Sequence, residues 1–204
     1  MRERIREVSP CFKARIAGVV YLLYFLTAAL AQYLVGRKLV AYGNATNFIA
    51  TGCYVILTLL FYAMFKPVNR SLSLIAALFS LAGCVVMALG LFHLASLSIS
   101  PLLFFGPYCL LIGYLIFRST FLPRMLGVLM ALAGLGWLAF LSPNLAHSLS
   151  LGIEGFGIFA EASLMLWLIA MGVNVQRWNE RANAAGKPLS IDAAARVRSR
   201  HEAI

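Results

Sequence analysis

The chain alternates between long uncharged apolar runs and short breaks that carry charge or proline. The first run, 16–35, holds no charged residue. At about 1.5 Å of rise per helical residue it can cross the roughly 30 Å hydrocarbon core of a bilayer. Five more runs follow at 48–65, 72–97, 101–117, 125–141 and 149–173. The break between the second and third is Lys66-Pro67-Val68-Asn69-Arg70, where proline disfavours helix at the residue before it. The break between the fourth and fifth, Arg118-Ser119-Thr120-Phe121-Leu122-Pro123-Arg124, is built on the same plan. Backbone polar groups in hydrocarbon must be paired within a helix or around a closed barrel. Barrel strands alternate apolar and polar residues over about ten positions, and these runs do not. The pattern therefore predicts an all-α, polytopic integral membrane bundle of about six transmembrane helices. It divides the chain into a basic N-terminal arm (1–15), a six-helix domain (16–173) and a basic tail (174–204), with no room for a second domain.

Composition agrees: 62% of residues are hydrophobic and 12% charged, with mean hydropathy +0.87, whereas soluble domains carry about a quarter charged residues. The placement of charge then sets orientation. If there are six spans, all 17 basic residues except Arg37 and Lys38 fall on the side that holds both termini. The positive-inside rule makes that side cytoplasmic, N-in and C-in. The net charge of +10 is scattered between apolar runs, so it builds no face for nucleic acid; the partner it implies is the lipid bilayer. Tyr33, Tyr42 and Trp137 are expected at the outer interface, and Tyr62, Trp167 and Trp178 at the inner one. The basic arm, the first apolar run and Ala29-Leu30-Ala31 have a rival reading as a cleaved secretory signal, which would leave five spans in the same orientation. The tail reads as solvated, with a break at Gly186-Lys187-Pro188, an N-cap at Ser190, and Arg196, Arg198 and Arg200 available to anionic headgroups.

Ionisable groups inside spans are costly and mark candidate sites. Glu161 lies near the middle of the last run, where a carboxylate costs several kcal/mol (roughly) unless it is protonated or hydrogen-bonded, so its side chain should face inward. Glu154 shares its stripe about 10 Å nearer the outer surface. His93, near the outer end of the third run, and His147, in the loop before the last, stand at a height comparable with Glu154. A His, His and Glu set can bind zinc, but no local H-x-x-x-H pair supports one, and neither a metal nor a cofactor is expected. Tyr108, beside Pro107 in the fourth run, should face the bundle at a depth near Glu161, and Pro107 should kink its helix. Gly83 with Gly90, Gly106 with Gly113, Gly127 with Gly134, and the cluster Gly152, Gly155 and Gly157 read as close-packing positions. Cys11, Cys53, Cys84 and Cys109 lack C-x-x-C spacing and read as packing residues. Asn44-Ala45-Thr46 fits a glycosylation triplet on the outer side. No nucleophile-elbow, Walker or Rossmann fingerprint is present, which leans away from an enzyme.

Several stretches taken together resemble a bacterial membrane-protein family catalogued as domain of unknown function 4386. They are 14–23, Pro67-Val68-Asn69-Arg70, 113–128, Glu161 before Leu166-Trp167-Leu168, and Gly172-Val173-Asn174. The resemblance runs from about Ser9 to Asn174. It implies six helices and a bacterial inner-membrane location, and no settled reaction. It also implies an Arg in the third span and a His in the fourth, where this chain has Ser80 and Tyr108. Function thus stays open between a proton-linked carrier using Glu161, a membrane-embedded enzyme or metal-binding protein, and a non-catalytic scaffold.

Overall fold

The computed structural model describes residues 9–91 and 100–186, without the side chains of 143–148. Among the described residues there are seven helices and no strand: α1 (Pro10–Gly36), α2 (Val40–Phe65), α3 (Arg70–Leu91), α4 (Leu102–Arg118), α5 (Arg124–Ala139), α6 (Pro143–Ala170) and α7 (Val175–Gly186). Four segments are long and apolar enough to cross a membrane: α1, α2, α3 and Leu149–Ala170 of α6. Helices α4 and α5 are equally apolar but shorter.

Local chemistry sets where these helices start. Pro10 and Pro143 sit in the first turns of α1 and α6, where a missing amide donor costs nothing. The Asn69 Oδ1 accepts from the Leu72 amide at 3.0 Å to begin α3, and the Asn174 Oδ1 accepts from the Arg177 amide at 3.1 Å to begin α7. Between α1 and α2 the reversal is made by Lys38 at φ 65°, a left-handed conformation. Helix α2 begins eight positions earlier than the apolar run, at Val40 instead of residue 48, and takes Asn44-Ala45-Thr46 into a helix. Packing explains the extension: Gly43 lies against Val35 and the Ala31 carbonyl of α1, so small residues at the start of α2 gain a neighbour. Helix α4 continues unbroken through Pro107.

Each of α1 to α6 packs against the next in sequence, and α6 packs back on α1, closing a ring. One end of that ring gathers the start of α1 (Cys11 against Gly172), the end of α2, the connection between α4 and α5, and the end of α6. Helix α7 ties this end together. The Trp178 Nε1 donates to the Met64 carbonyl at 3.1 Å, the Arg177 guanidinium to the Thr120 carbonyl at 3.0 Å, and the Arg181 guanidinium to the Arg118 carbonyl at 3.4 Å. The sequence pattern alone treats this segment as solvated tail; a helix this polar has no apolar run to announce it.

In the half of the ring nearest α7, Leu57, Phe61, Phe65, Leu115, Ile116, Leu164 and Leu168 fill the interior and are essentially inaccessible. Ser80 of α3 and Thr58 of α2 share a hydrogen bond of 2.6 Å there, and the Thr58 hydroxyl also donates to the Tyr54 carbonyl. The seam between α4 and α5 is made by glycines. A Cβ on Gly127 would sit 2.6 Å from the Gly113 carbonyl oxygen, and one on Gly134 would sit 2.8 Å from that of Gly106. The two seven-residue glycine pairs seen in the sequence therefore face each other in antiparallel register and let the two backbones touch.

Candidate functional site

Glu161 is the thirteenth residue of the apolar segment Leu149–Ala170 and is buried. The Cα–Cβ bonds of a helix lean toward its N-terminus, so this side chain leans toward the end of the ring opposite α7. The Tyr21 hydroxyl of α1 donates to its Oε2 at 2.8 Å, across the seam that closes the ring. Tyr21 is itself buried, with its ring stacked on Phe25 at 5.3 Å and edge-on to Phe61 at 6.1 Å.

Two cavities meet at this carboxyl. The first, about 350 Å³, draws lining from all six helices: Tyr24, Tyr54, Met87, the start of α4 with Phe105, Trp137 and Glu161. The second, about 370 Å³, lies between α1 and α6 and is lined by Phe25, Ala28, Ala29, Gln32 and Ile158 together with Tyr24, Trp137 and Glu161. Tyr24, Trp137 and Glu161 belong to both, so they form the partition between a central chamber and a side cleft. The rest of both linings lies toward the end of the ring away from α7.

The walls are aromatic. Tyr24 and Tyr54 meet edge-on at 4.8 Å, Tyr54 and Phe105 at 5.2 Å, and Tyr54 and Tyr108 at 6.0 Å. Trp137 does not take the interfacial place expected from the sequence. Its indole turns inward over Gly157, one turn before Glu161 on α6, where any added Cβ would overlap the ring. The glycine is what lets a large ring reach the carboxyl from a short helix.

Titratable groups around Glu161 come from three helices: Tyr21 and Tyr24 from α1, Tyr54 from α2, and Tyr108 and Cys109 from α4. None of these types is charged at neutral pH in its ordinary state. No Lys, Arg or His lines either cavity among the described residues. Among the described residues the carboxyl therefore has hydroxyl and aromatic company but no cation.

Residues 98–172 match the family model described as a domain of unknown function, DUF4386. Over that stretch, a little over a third of its length, the chain is similar to the DUF4386 family. The match begins after α3 and covers α4, α5 and α6, including Glu161 and both glycine pairs of the α4–α5 seam, whereas Tyr21, Tyr24 and Tyr54 lie before it. A relative from Archaeoglobus fulgidus, an "Uncharacterized protein", is 26% identical over 147 residues, spanning 69% of this chain and 90% of the relative. No solved structure matches the chain.

The other sequence candidates separate from Glu161. Glu154 is exposed on α6 and lines neither cavity. Tyr108 is buried as expected, but its hydroxyl has no hydrogen-bond partner, and Tyr21 makes the bond to Glu161 in its place. Ser80, at the position where the resemblance implies an arginine, is taken up by Thr58. His93 and the expected cap at Ser190 lie outside the described residues, and the His147 side chain is likewise not described. The residues that sequence reasoning missed are Tyr21, Tyr24, Tyr54 and Trp137. For the three tyrosines the signal was a phenol in mid-span, which brings a polar tip into hydrocarbon and calls for a partner; Trp137, near the end of α5, carried no such signal.

Proposed function

We propose that this chain is a six-span, N-in and C-in protein of the inner membrane that works as a small proton-linked carrier, with Glu161 exchanging a proton for a bound ligand. The closed ring of α1 to α6 and the gathering of alternate helix ends beside α7 support six crossings. Helices α4 and α5 are short, at about 24–26 Å by helical rise, and their glycine contact lets them cross as a pair. In this orientation the two cavities open from the extracytoplasmic half, and the packed half is cytoplasmic.

A single observation carries the reading: Glu161 lies where a central chamber meets a cleft between α1 and α6. A carboxyl that served only to staple helices would be sealed among them. One that lines open space can exchange its proton and meet a ligand, and intramembrane carboxyls with access are the usual groups of proton relays. Neither the chamber nor the cleft continues through the side chains packed on the α7 side, so transport requires the ring to open there in a second state.

The test uses proteoliposomes loaded with a pH-reporting dye and exposed in turn to a panel of small amines, carboxylates and amphiphiles. Wild-type protein should give a ligand-dependent change of internal pH with at least one class, and Glu161→Gln should abolish it. A flat response across the panel, or equal responses from wild type and Glu161→Gln, would overturn the carrier reading.

A further inference from the structure

Resting on the reading of Glu161 as a ligand-exchanging carboxyl, we infer that the central chamber binds a small monovalent organic cation with an apolar body, an amine or quaternary ammonium. Tyr24, Tyr54, Phe105 and Trp137 supply the faces and edges of the cage, and Glu161 supplies the counter-charge.

The chemistry follows from what surrounds the carboxyl. It is buried at mid-span, it accepts a hydrogen bond from Tyr21 and has the Trp137 indole N–H as a second donor beside it, and no cationic side chain lines its cavities among the described residues. An ionised carboxylate in that setting is stable only when something positive comes to it. An inorganic cation needs six or more oxygen ligands, or several His and Cys donors. No group of three His, Cys, Asp or Glu that could hold a metal exists among the described residues. The chamber instead offers π-faces. Aromatic rings attract a cation within about 6 Å of the ring centroid, and rings set edge to face around one space form the cage that recognises alkylammonium groups. Tyr24, Tyr54 and Phe105 make such a wall, at 4.8 and 5.2 Å between successive rings, and Trp137 bounds the chamber with Glu161. A chamber of about 350 Å³ holds a ligand of small-drug size. An anion would meet the carboxylate and the negative ring faces. A neutral apolar ligand would leave the carboxylate unpaired.

The decisive comparison changes charge at constant shape. Benzyltrimethylammonium and neopentylbenzene differ by a quaternary nitrogen against a quaternary carbon. Binding of each to the purified full-length chain in detergent is measured by equilibrium dialysis, with protein-free micelles subtracted, and benzenesulfonate serves as the anion. The cation should bind saturably at one per chain, with the neutral isostere weaker by at least about tenfold and the anion not binding. Glu161→Gln and Trp137→Leu should each weaken the cation at least about tenfold, and Glu161→Asp should restore most of it. Equal binding of cation and isostere, saturable binding of benzenesulfonate, absence of any saturable cation binding, or unchanged binding in Glu161→Gln would each overturn the inference. If Glu161→Gln fails to fold, as judged by thermal unfolding, the three-ligand comparison on the unmodified chain decides alone.

This inference and the carrier reading fail separately. If the cation does not bind but another class drives a Glu161-dependent pH change in vesicles, the ligand class is wrong and the carrier stands. If the cation binds and no pH change follows, the site stands and the carrier falls.

Discussion

The two halves of the six-helix ring use aromatic residues in opposite ways. Near α7, Phe61, Phe65 and Phe121 are buried in the hydrophobic core, with Phe65 packed against both of the other rings. In the other half, Tyr24, Tyr54, Phe105 and Trp137 line one or both of two cavities. In lipid no hydrophobic drive favours helix contact over lipid contact, so tight packing and interhelical hydrogen bonds hold a bundle together. The packed half therefore supplies most of the cohesion, and the cavity half gives it up for access to Glu161.

Truncating one ring in each half should expose that difference most clearly. Phe61→Ala removes a side chain that is 1% exposed and should cost about 3 kcal/mol, the usual range for emptying a filled phenylalanine site. Phe105→Ala enlarges a space that already exists and should cost about 1 kcal/mol, because one side of that ring has few contacts to lose. Denaturant titration of both variants in mixed micelles measures the two values. Equal costs would mean that the cavity half is as tightly held as the other, and the contrast would be lost.

Helix seams give a second, smaller test. Gly127→Ala places a methyl 2.6 Å from the Gly113 carbonyl and 2.8 Å from the Phe117 amide nitrogen, both backbone atoms that cannot swing aside. It should cost about 2 kcal/mol despite the better helix propensity of alanine. Gly52→Ala, with nothing within 4 Å of the new methyl, should be neutral or stabilising by about 0.5 kcal/mol. The same unfolding titration reads both. A mild effect at Gly127 would show that α4 and α5 separate easily, which would make that seam a candidate hinge.

The apolar runs made the helical architecture legible because, in hydrocarbon, a segment must satisfy its own backbone, and that requirement is written locally. The glycine spacing of α4 and α5 was legible for the same reason, although which glycine meets which was not. Glu161 announced itself as a charge in an apolar run. Its partner did not: Tyr21 sits 140 positions away, and any of several mid-span phenols could have met it. Tyr108 was the nearer guess by depth, yet its hydroxyl is without a partner and Tyr21 makes the bond. Trp137 misled because its place near the end of α5 suits an interfacial ring; only Gly157, on another helix, opens the space that draws it inward. Cavities have no sequence signature at all, since they are what neighbouring side chains fail to fill.

The two buried tyrosines of this region offer the finest test, because their hydroxyls differ in one respect only. Tyr21 is 1% exposed and its hydroxyl donates to Glu161; Tyr108 is 2% exposed and its hydroxyl has no partner. Tyr21→Phe removes a donor from a carboxyl that keeps its burial, and should destabilise by about 1–2 kcal/mol. Tyr108→Phe removes a buried polar atom that gains nothing in the unliganded protein, and should be neutral or stabilising by up to about 1 kcal/mol. The signs are therefore opposite for the same chemical change at two sites of equal burial. Measuring both variants with and without benzyltrimethylammonium adds a further distinction. If Tyr108→Phe leaves the stability of the free protein alone but alters the increment that the ligand adds, its hydroxyl is reserved for the occupied chamber. If it destabilises the free protein as much as Tyr21→Phe does, the hydroxyl already has a partner, and the polar centre of the cavity half is larger than the Tyr21–Glu161 pair.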